Sequence, residues 1–94
     1  MNVKVARMNT GEDIIFDLIE EKEKVLLIEN ALVAGPNGQG QIGFGPWAPL
    51  IKEGEPLQVN SDYICYIAEP HDDVAENYQK IFSKIETPSK KLIL

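Results

Sequence analysis

The residues predict a mainly β fold, a strongly bent antiparallel sheet or small open barrel of five to six strands carrying one C-terminal helix. Met8-Asn9-Thr10-Gly11-Glu12-Asp13-Ile14-Ile15-Phe16-Asp17-Leu18 reads as the end of a strand, a tight turn and a second strand. Val59-Asn60-Ser61-Asp62-Tyr63-Ile64-Cys65-Tyr66-Ile67 reads as a short turn entering a further strand. Beyond Pro70 the apolar period lengthens from that of a strand to that of a helix.

Val3, Val5 and Met8 alternate imperfectly with Lys4 and Arg7, which predicts a first strand with one buried face. Asn and Gly accept the positive φ of tight turns, so Asn9-Thr10-Gly11 reverses the chain and pairs this strand with the next. Asp13 to Glu20 is rich in Ile and Phe and continues as a strand. Glu20-Glu21-Lys22-Glu23-Lys24 reads as a solvated hairpin tip, with a short helix as the other option. Val25 to Ala34 is too apolar for an exposed strand and suits one buried on both sides or bent through the core. It ends at Gly35-Pro36-Asn37-Gly38. Glycines and prolines punctuate Ile42, Phe44 and Trp47, so residues 39–51 predict a bent edge strand of open register. A turn over Lys52-Glu53-Gly54-Glu55-Pro56 precedes Leu57 and Val59, and Tyr63 to Ala68 forms the last strand.

Asp73 and Glu76 read as a capping pair for a helix over about residues 72–85, with Val74, Tyr78, Ile81, Phe82 and Ile85 on one face. Pro88 is expected to stop it. A single domain over 1–85 is then followed by a tail, 86–94, whose Leu92-Ile93-Leu94 end can dock on this domain or a neighbour.

With 94 residues the chain makes one domain, of a size that buries only about 60–65% of its unfolded surface. Its 44% hydrophobic and 26% charged content excludes intrinsic disorder. No apolar run approaches a membrane span, and the N-terminus lacks a signal peptide's basic start and apolar stretch, so a soluble cytoplasmic protein is expected. Cys65, the single cysteine, lies in an apolar run and is expected as a buried thiol. His71 has no second His or Cys at ligand spacing, and neither metal nor cofactor is expected. Acid–base chemistry would require a pair among Asp13, Asp17, Asp62 and His71, which no motif brings together, so the chain reads as non-catalytic.

The order of strands and turns resembles the Sm and Sm-like (LSm, Hfq) family. Val3 to Ile15 resembles the first two Sm strands with their glycine-containing turn, and Leu26-Leu27-Ile28-Glu29-Asn30-Ala31 resembles the third. Val59 to Ile67 is similar to the family's isoleucine-arginine-glycine turn and the strand after it. Asn9 to Ile15, Phe44-Gly45-Pro46-Trp47 and the Glu69-Pro70 junction to a Tyr78-bearing helix resemble small Sm-like proteins of marine cyanophage-like viruses. The resemblance implies a homo-oligomeric ring of five to seven subunits and a role with single-stranded RNA or DNA, in the host cytoplasm if the source is viral. Departures accompany it: the family's base-holding Asp and Asn fall at Glu21 and Val25, its stacking Arg at Asn60 and its Gly at Ser61. The N-terminal helix is absent, the helix lies at the other end, and Gly35 to Pro56 is an insertion.

In such a ring the Glu20–Lys24 loop and the Asn60-Ser61-Asp62 turn would meet near the pore. Lys22, Lys24 and Asn60, joined by Tyr63, are therefore the candidate nucleic-acid-binding residues. The competing role for Lys22 and Lys24 is to balance Glu20, Glu21 and Glu23 on an exposed tip. Phe44 and Trp47 suit either base stacking or a core or subunit interface. A net charge of −6 repels a polyanion, so any such site must be local, with Lys80, Lys84, Lys90 and Lys91 as further cations. The same acidity, with the missing clamp residues, favours the other class: a structural or adaptor ring that binds a protein partner.

Overall fold

A computed structural model describes residues 1–36, 42–52 and 54–92. Strands β1 (Val3–Met8), β2 (Asp13–Glu21), β3 (Val25–Pro36), β4 (Ile42–Pro46), β5 (Leu57–Asn60) and β6 (Ile64–Ala68) precede helix α1 (Asp72–Leu92). They form one bent, unclosed antiparallel sheet in the order β4-β3-β2-β1-β6, with β5 also paired to β3. This is the mainly β, Sm-like architecture that the strand and turn signals predict.

The β1–β2 turn closes as its residues dictate. Gly11 has φ +97°, a left-handed conformation that a side chain would strain, and its N–H donates to the Met8 carbonyl at 2.8 Å. The Met8 N–H in turn donates to the Glu12 carbonyl at 2.8 Å. Arg7 and Asp13 flank this turn as a bidentate ion pair at 2.7 and 2.8 Å. The guanidinium holds the Asp13 carboxyl below the usual carboxylate range, chiefly through these hydrogen bonds.

β3 gives the sheet its bend. Its first residues pair with β5, from Val25↔Asn60 to Ile28↔Leu57, and its last residues pair with β4, from Leu32↔Pro46 to Pro36↔Ile42. Between these halves, the register with β2 jumps from Ile15↔Leu32 to Asp17↔Glu29, so Asn30 and Ala31 together oppose Phe16. Asn30 sits at φ +55°, the bulge position usually given to glycine and one that asparagine tolerates. One inserted residue reverses the side-chain parity. Leu26 and Ile28 before the bulge, and Ala31 and Val33 after it, all join the same core, although their numbering changes from even to odd.

Two apolar layers result, one on each face. The concave face packs Ala6, Met8, Ile14, Phe16, Leu26, Ile28 and Val59, with Trp47 and Leu57 at its margin. The other face packs Val3 and Ile15 under Tyr78 of the helix, with Val5, Leu32, Phe44, Val74 and Phe82 around them. β1 thus has both faces covered, which is why its alternation reads as imperfect.

The helix docks through Val74, Tyr78 and Phe82, a stripe of i, i+4 and i+8 positions, while Ile81 of the expected face stays exposed. Tyr78 is 0% exposed. Its ring lies 4.9 Å from that of Phe82, and its hydroxyl donates to the Asn30 carbonyl at 2.7 Å. The N-terminus lies slightly earlier than the expected capping pair. Ala75 N–H already bonds the His71 carbonyl at 2.9 Å, so Asp72 and Asp73 occupy the first turn, where their charge complements the helix dipole. The helix also runs through Pro88 to Leu92 instead of ending near 85. Proline removes one N–H and crowds one preceding carbonyl, a local cost that the turns on either side bridge.

Two other expectations change. β4 spans Ile42–Pro46 alone, and Trp47 to Ile51 form bends and a turn. Cys65 is exposed instead of buried. Its strand ends the sheet among the described residues, and beyond Ile64, which packs on the core, Tyr66 is 51% and Ile67 38% exposed. Asn37 and Gly38 of the expected turn, Gln39 to Gln41 of the expected strand and the Ile93-Leu94 end lie outside the described residues, as do the side chains of Lys84, Ile85, Lys90 and Lys91.

Two stability measurements test the role of the bulge. Tyr78→Phe leaves the Asn30 carbonyl without its donor and lowers the unfolding free energy by about 1–2 kcal/mol in urea, whereas Asn30→Gly is neutral or stabilising and Asn30→Ala costs about 1 kcal/mol. Burial, with the Asp17 and Glu29 carboxylates nearby, raises the Tyr78 pKa well above its ordinary value. Both folded and unfolded states are protonated below pH of about 10; above it the unfolded chain loses the proton first, so stability falls as pH rises. That part of the alkaline fall is absent in Tyr78→Phe.

Candidate nucleic-acid interface

The tip between β2 and β3 and the turn between β5 and β6 lie side by side. Lys22 N–H donates to the Val25 carbonyl at 2.8 Å and closes the tip. Ser61 N–H donates to the Lys24 carbonyl at 3.0 Å and joins the two loops. Val25 is the register partner of Asn60, so Lys24 and Asn60 are brought together by backbone pairing alone. Lys22 stands further out, its ammonium 4.0 Å from Glu20.

Asn60 is committed in part to local structure. It caps a single 3-10 turn, Ser61–Tyr63, with its Oδ1 accepting from the Asp62 N–H at 2.8 Å. This fixes the side chain and leaves the amide nitrogen as its outward donor. Tyr63 closes the same turn. Its carbonyl accepts from the Asn9 N–H at 2.7 Å, which ties the β5–β6 turn to the β1–β2 turn.

These ties shape an open cleft of about 490 Å³ whose lining includes Asn9, Trp47, Gln58, Asn60 and Tyr63. Met8 and Val59, both buried in the concave core, form its floor. Trp47 reaches it from the segment after β4. Its indole N–H donates to the Glu12 carboxylate at 3.2 Å, and the Thr10 hydroxyl donates to the same oxygen at 3.0 Å. The ring is held by those contacts and by partial packing against the concave core. Phe44, the other aromatic candidate, packs instead on the helix side.

Of the candidate residues, Asn60 and Tyr63 line this cleft, and Lys24 adjoins it through Ser61. Gln58 and Asn9 belong to it although their residue types alone do not mark them. Gln58 carries a readable signal, since it alternates with Leu57 and Val59 and must face away from the core. The position of Asn9 depends on the long-range bond to Tyr63, which no local pattern encodes.

The other ionisable groups are dispersed. Asp13 is paired with Arg7, Asp17 accepts from the Asn2 N–H at 2.8 Å, and His71 lies at the start of the helix. Among the described residues, no three His, Cys, Asp or Glu side chains are grouped to hold a metal ion. No helix among them is long and apolar enough to cross a membrane. A second cleft, of about 280 Å³, lies between the β3 bulge, residues 46–52 and 54–55, and Phe82, and carries Glu29 and Glu55 in its lining. Compared with known proteins, the chain matches no protein-family model and no curated sequence.

Proposed function

We propose that the chain is an Sm-like protein that assembles head to tail with copies of itself and binds single-stranded nucleic acid, RNA in the first instance, without catalysing a reaction. The observation that carries assembly is β6. Among the described residues its only ladder partner is β1, so its outer backbone groups are free, and Cys65, Tyr66 and Ile67 are exposed along it. Aqueous exposure of an apolar edge strand is costly and invites pairing. Among the described residues, β5 has no ladder partner on the side away from β3. An edge of one kind meeting an edge of the other is a heterologous contact, which closes a ring when the rotation divides a full turn.

Support for the ligand is an amide-lined, aromatic cleft whose β5–β6 turn is bonded to the backbone of the lysine-bearing β2–β3 tip at Lys24, in a chain whose net charge is −6. General polyanion attraction is absent from such a chain, so binding depends on local contacts. The Sm resemblance supports the same reading through fold and turn residues alone, and a cytoplasmic location, the host's for a viral source, belongs to the same proposal. A second reading, a ring that docks a protein partner, is favoured by Leu50, which is 99% exposed beside the exposed Ile51.

Light scattering of the purified protein at tens of micromolar gives the mass of an oligomer, and Tyr66→Glu/Ile67→Glu gives a folded monomer. A wild-type monomer under these conditions contradicts the assembly. Fluorescent single-stranded RNA and DNA bind at low salt, with affinity falling as salt rises. If Lys22 and Lys24 each contact a phosphate, Lys22→Ala/Lys24→Ala flattens the log–log salt slope by about 1.4. Absence of binding at low salt rejects the nucleic-acid role and leaves the protein-partner reading.

A further inference from the structure

We infer that the cleft holding Trp47 and Tyr63 is a nucleobase pocket, in which the base occupies the uncharged cleft while its phosphate stays outside on the lysine side. The inference rests on the single-stranded nucleic-acid reading and specifies where the ligand's base is held.

Its chemistry is set by the side chains that line it. Among the described residues the lining contains no charged side chain, the nearby Glu12 carboxylate being engaged by the Trp47 indole N–H and the Thr10 hydroxyl, and three carboxamides, Asn9, Gln58 and Asn60, accompany the two aromatics. A phosphate or a charged peptide side chain has no counter-charge there. A purely apolar ligand would leave the amides without partners. A planar heterocycle with donors and acceptors around its edge satisfies both sets, its faces against rings and its edge against amides. The volume of about 490 Å³ admits one base with its sugar.

Orientation is supplied in advance. Glu12 fixes the Trp47 indole, and the Asp62 N–H fixes the Asn60 amide with its nitrogen outward. The Asn9–Tyr63 backbone bond holds the two turns that bracket the opening. Ser61 bonds the Lys24 carbonyl, so the cation-bearing tip adjoins the same turn that carries Tyr63. A base entering the cleft therefore meets amides and rings, and the turn that carries them is bonded to the backbone of Lys24.

Trp47 is the only tryptophan in the chain, so its emission reports this cleft alone. The test titrates unlabelled and fluorescein-labelled oligouridylate and oligoadenylate into the full-length protein at low salt, following Trp47 emission and fluorescein anisotropy in parallel. Expected are quenching of Trp47 over the concentration range in which anisotropy rises, a roughly tenfold or greater loss of affinity in Tyr63→Ala, the scale of one lost base–aromatic stack, and near wild-type affinity in Tyr63→Phe. Gln58→Ala, at an exposed strand position, lowers affinity by about fivefold through one lost hydrogen bond. If circular dichroism shows Tyr63→Ala unfolded, the quench and Gln58→Ala decide. A rise in anisotropy with unchanged Trp47 emission, or with unchanged affinity in the folded variants, overturns the pocket and leaves nucleic-acid binding standing. No rise in anisotropy overturns nucleic-acid binding, and the pocket with it.

Discussion

A single hydroxyl, that of Tyr78, bonds the carbonyl of Asn30 at 2.7 Å in the middle of the longest strand. Asn30 is the inserted residue of the bulge, without a register partner in β2. Its carbonyl would otherwise face a dry interface between helix and sheet, where an unsatisfied acceptor costs about 1–3 kcal/mol. The bond therefore makes the bulge tolerable, and the bulge makes the sheet bend. Without the parity change at Asn30, either Leu26 and Ile28 or Ala31 and Val33 would leave the concave core.

From the bend comes the distribution of edges. β3 turns away from itself at its midpoint, so its outer side is shared by β5 and β4 instead of one long partner. Among the described residues, β5 is left with a free outer side, and β6 ends the sheet beyond β1. The bend also brings the β2–β3 tip against the turn between β5 and β6, and that turn against the β1–β2 turn. The cleft beside Trp47 is the space enclosed by these contacts. The exposed β6 edge and the cleft, on which the proposed assembly and ligand binding rest, are thus two consequences of one backbone irregularity.

Much of this is legible in the residues because it is local. The Gly11 turn, the strand character of β2 and the i, i+4 stripe of Val74 and Tyr78 each rest on neighbours in sequence. Three features are not. Asn30 carries no strong local mark, since asparagine inside an apolar run is equally compatible with a straight strand whose polar residue faces out. Cys65 is expected inside because an apolar run normally means burial within its own chain; on β6 Ile64 packs on the core while Cys65, Tyr66 and Ile67 are exposed. The cleft depends on bonds between residues as distant as Asn9 and Tyr63, so only Asn60, Tyr63 and the aromatic Trp47 can be anticipated from type. Pro88 shows the opposite limit, a strong local stop signal overridden by a helix that continues on both sides of it.

The exposed edge of β6 links the fold to the proposed function, because the proposed ring and its pore require this strand to find a partner. Amide hydrogen exchange resolved over Ile64–Ala68, measured across a dilution series, reads that pairing on the backbone itself. If β6 is covered by another copy, its outward-facing amides exchange slowly at high concentration and lose protection on dilution, while those of β2 stay protected throughout. Equal, fast exchange of the outward β6 amides at every concentration would contradict assembly through this edge.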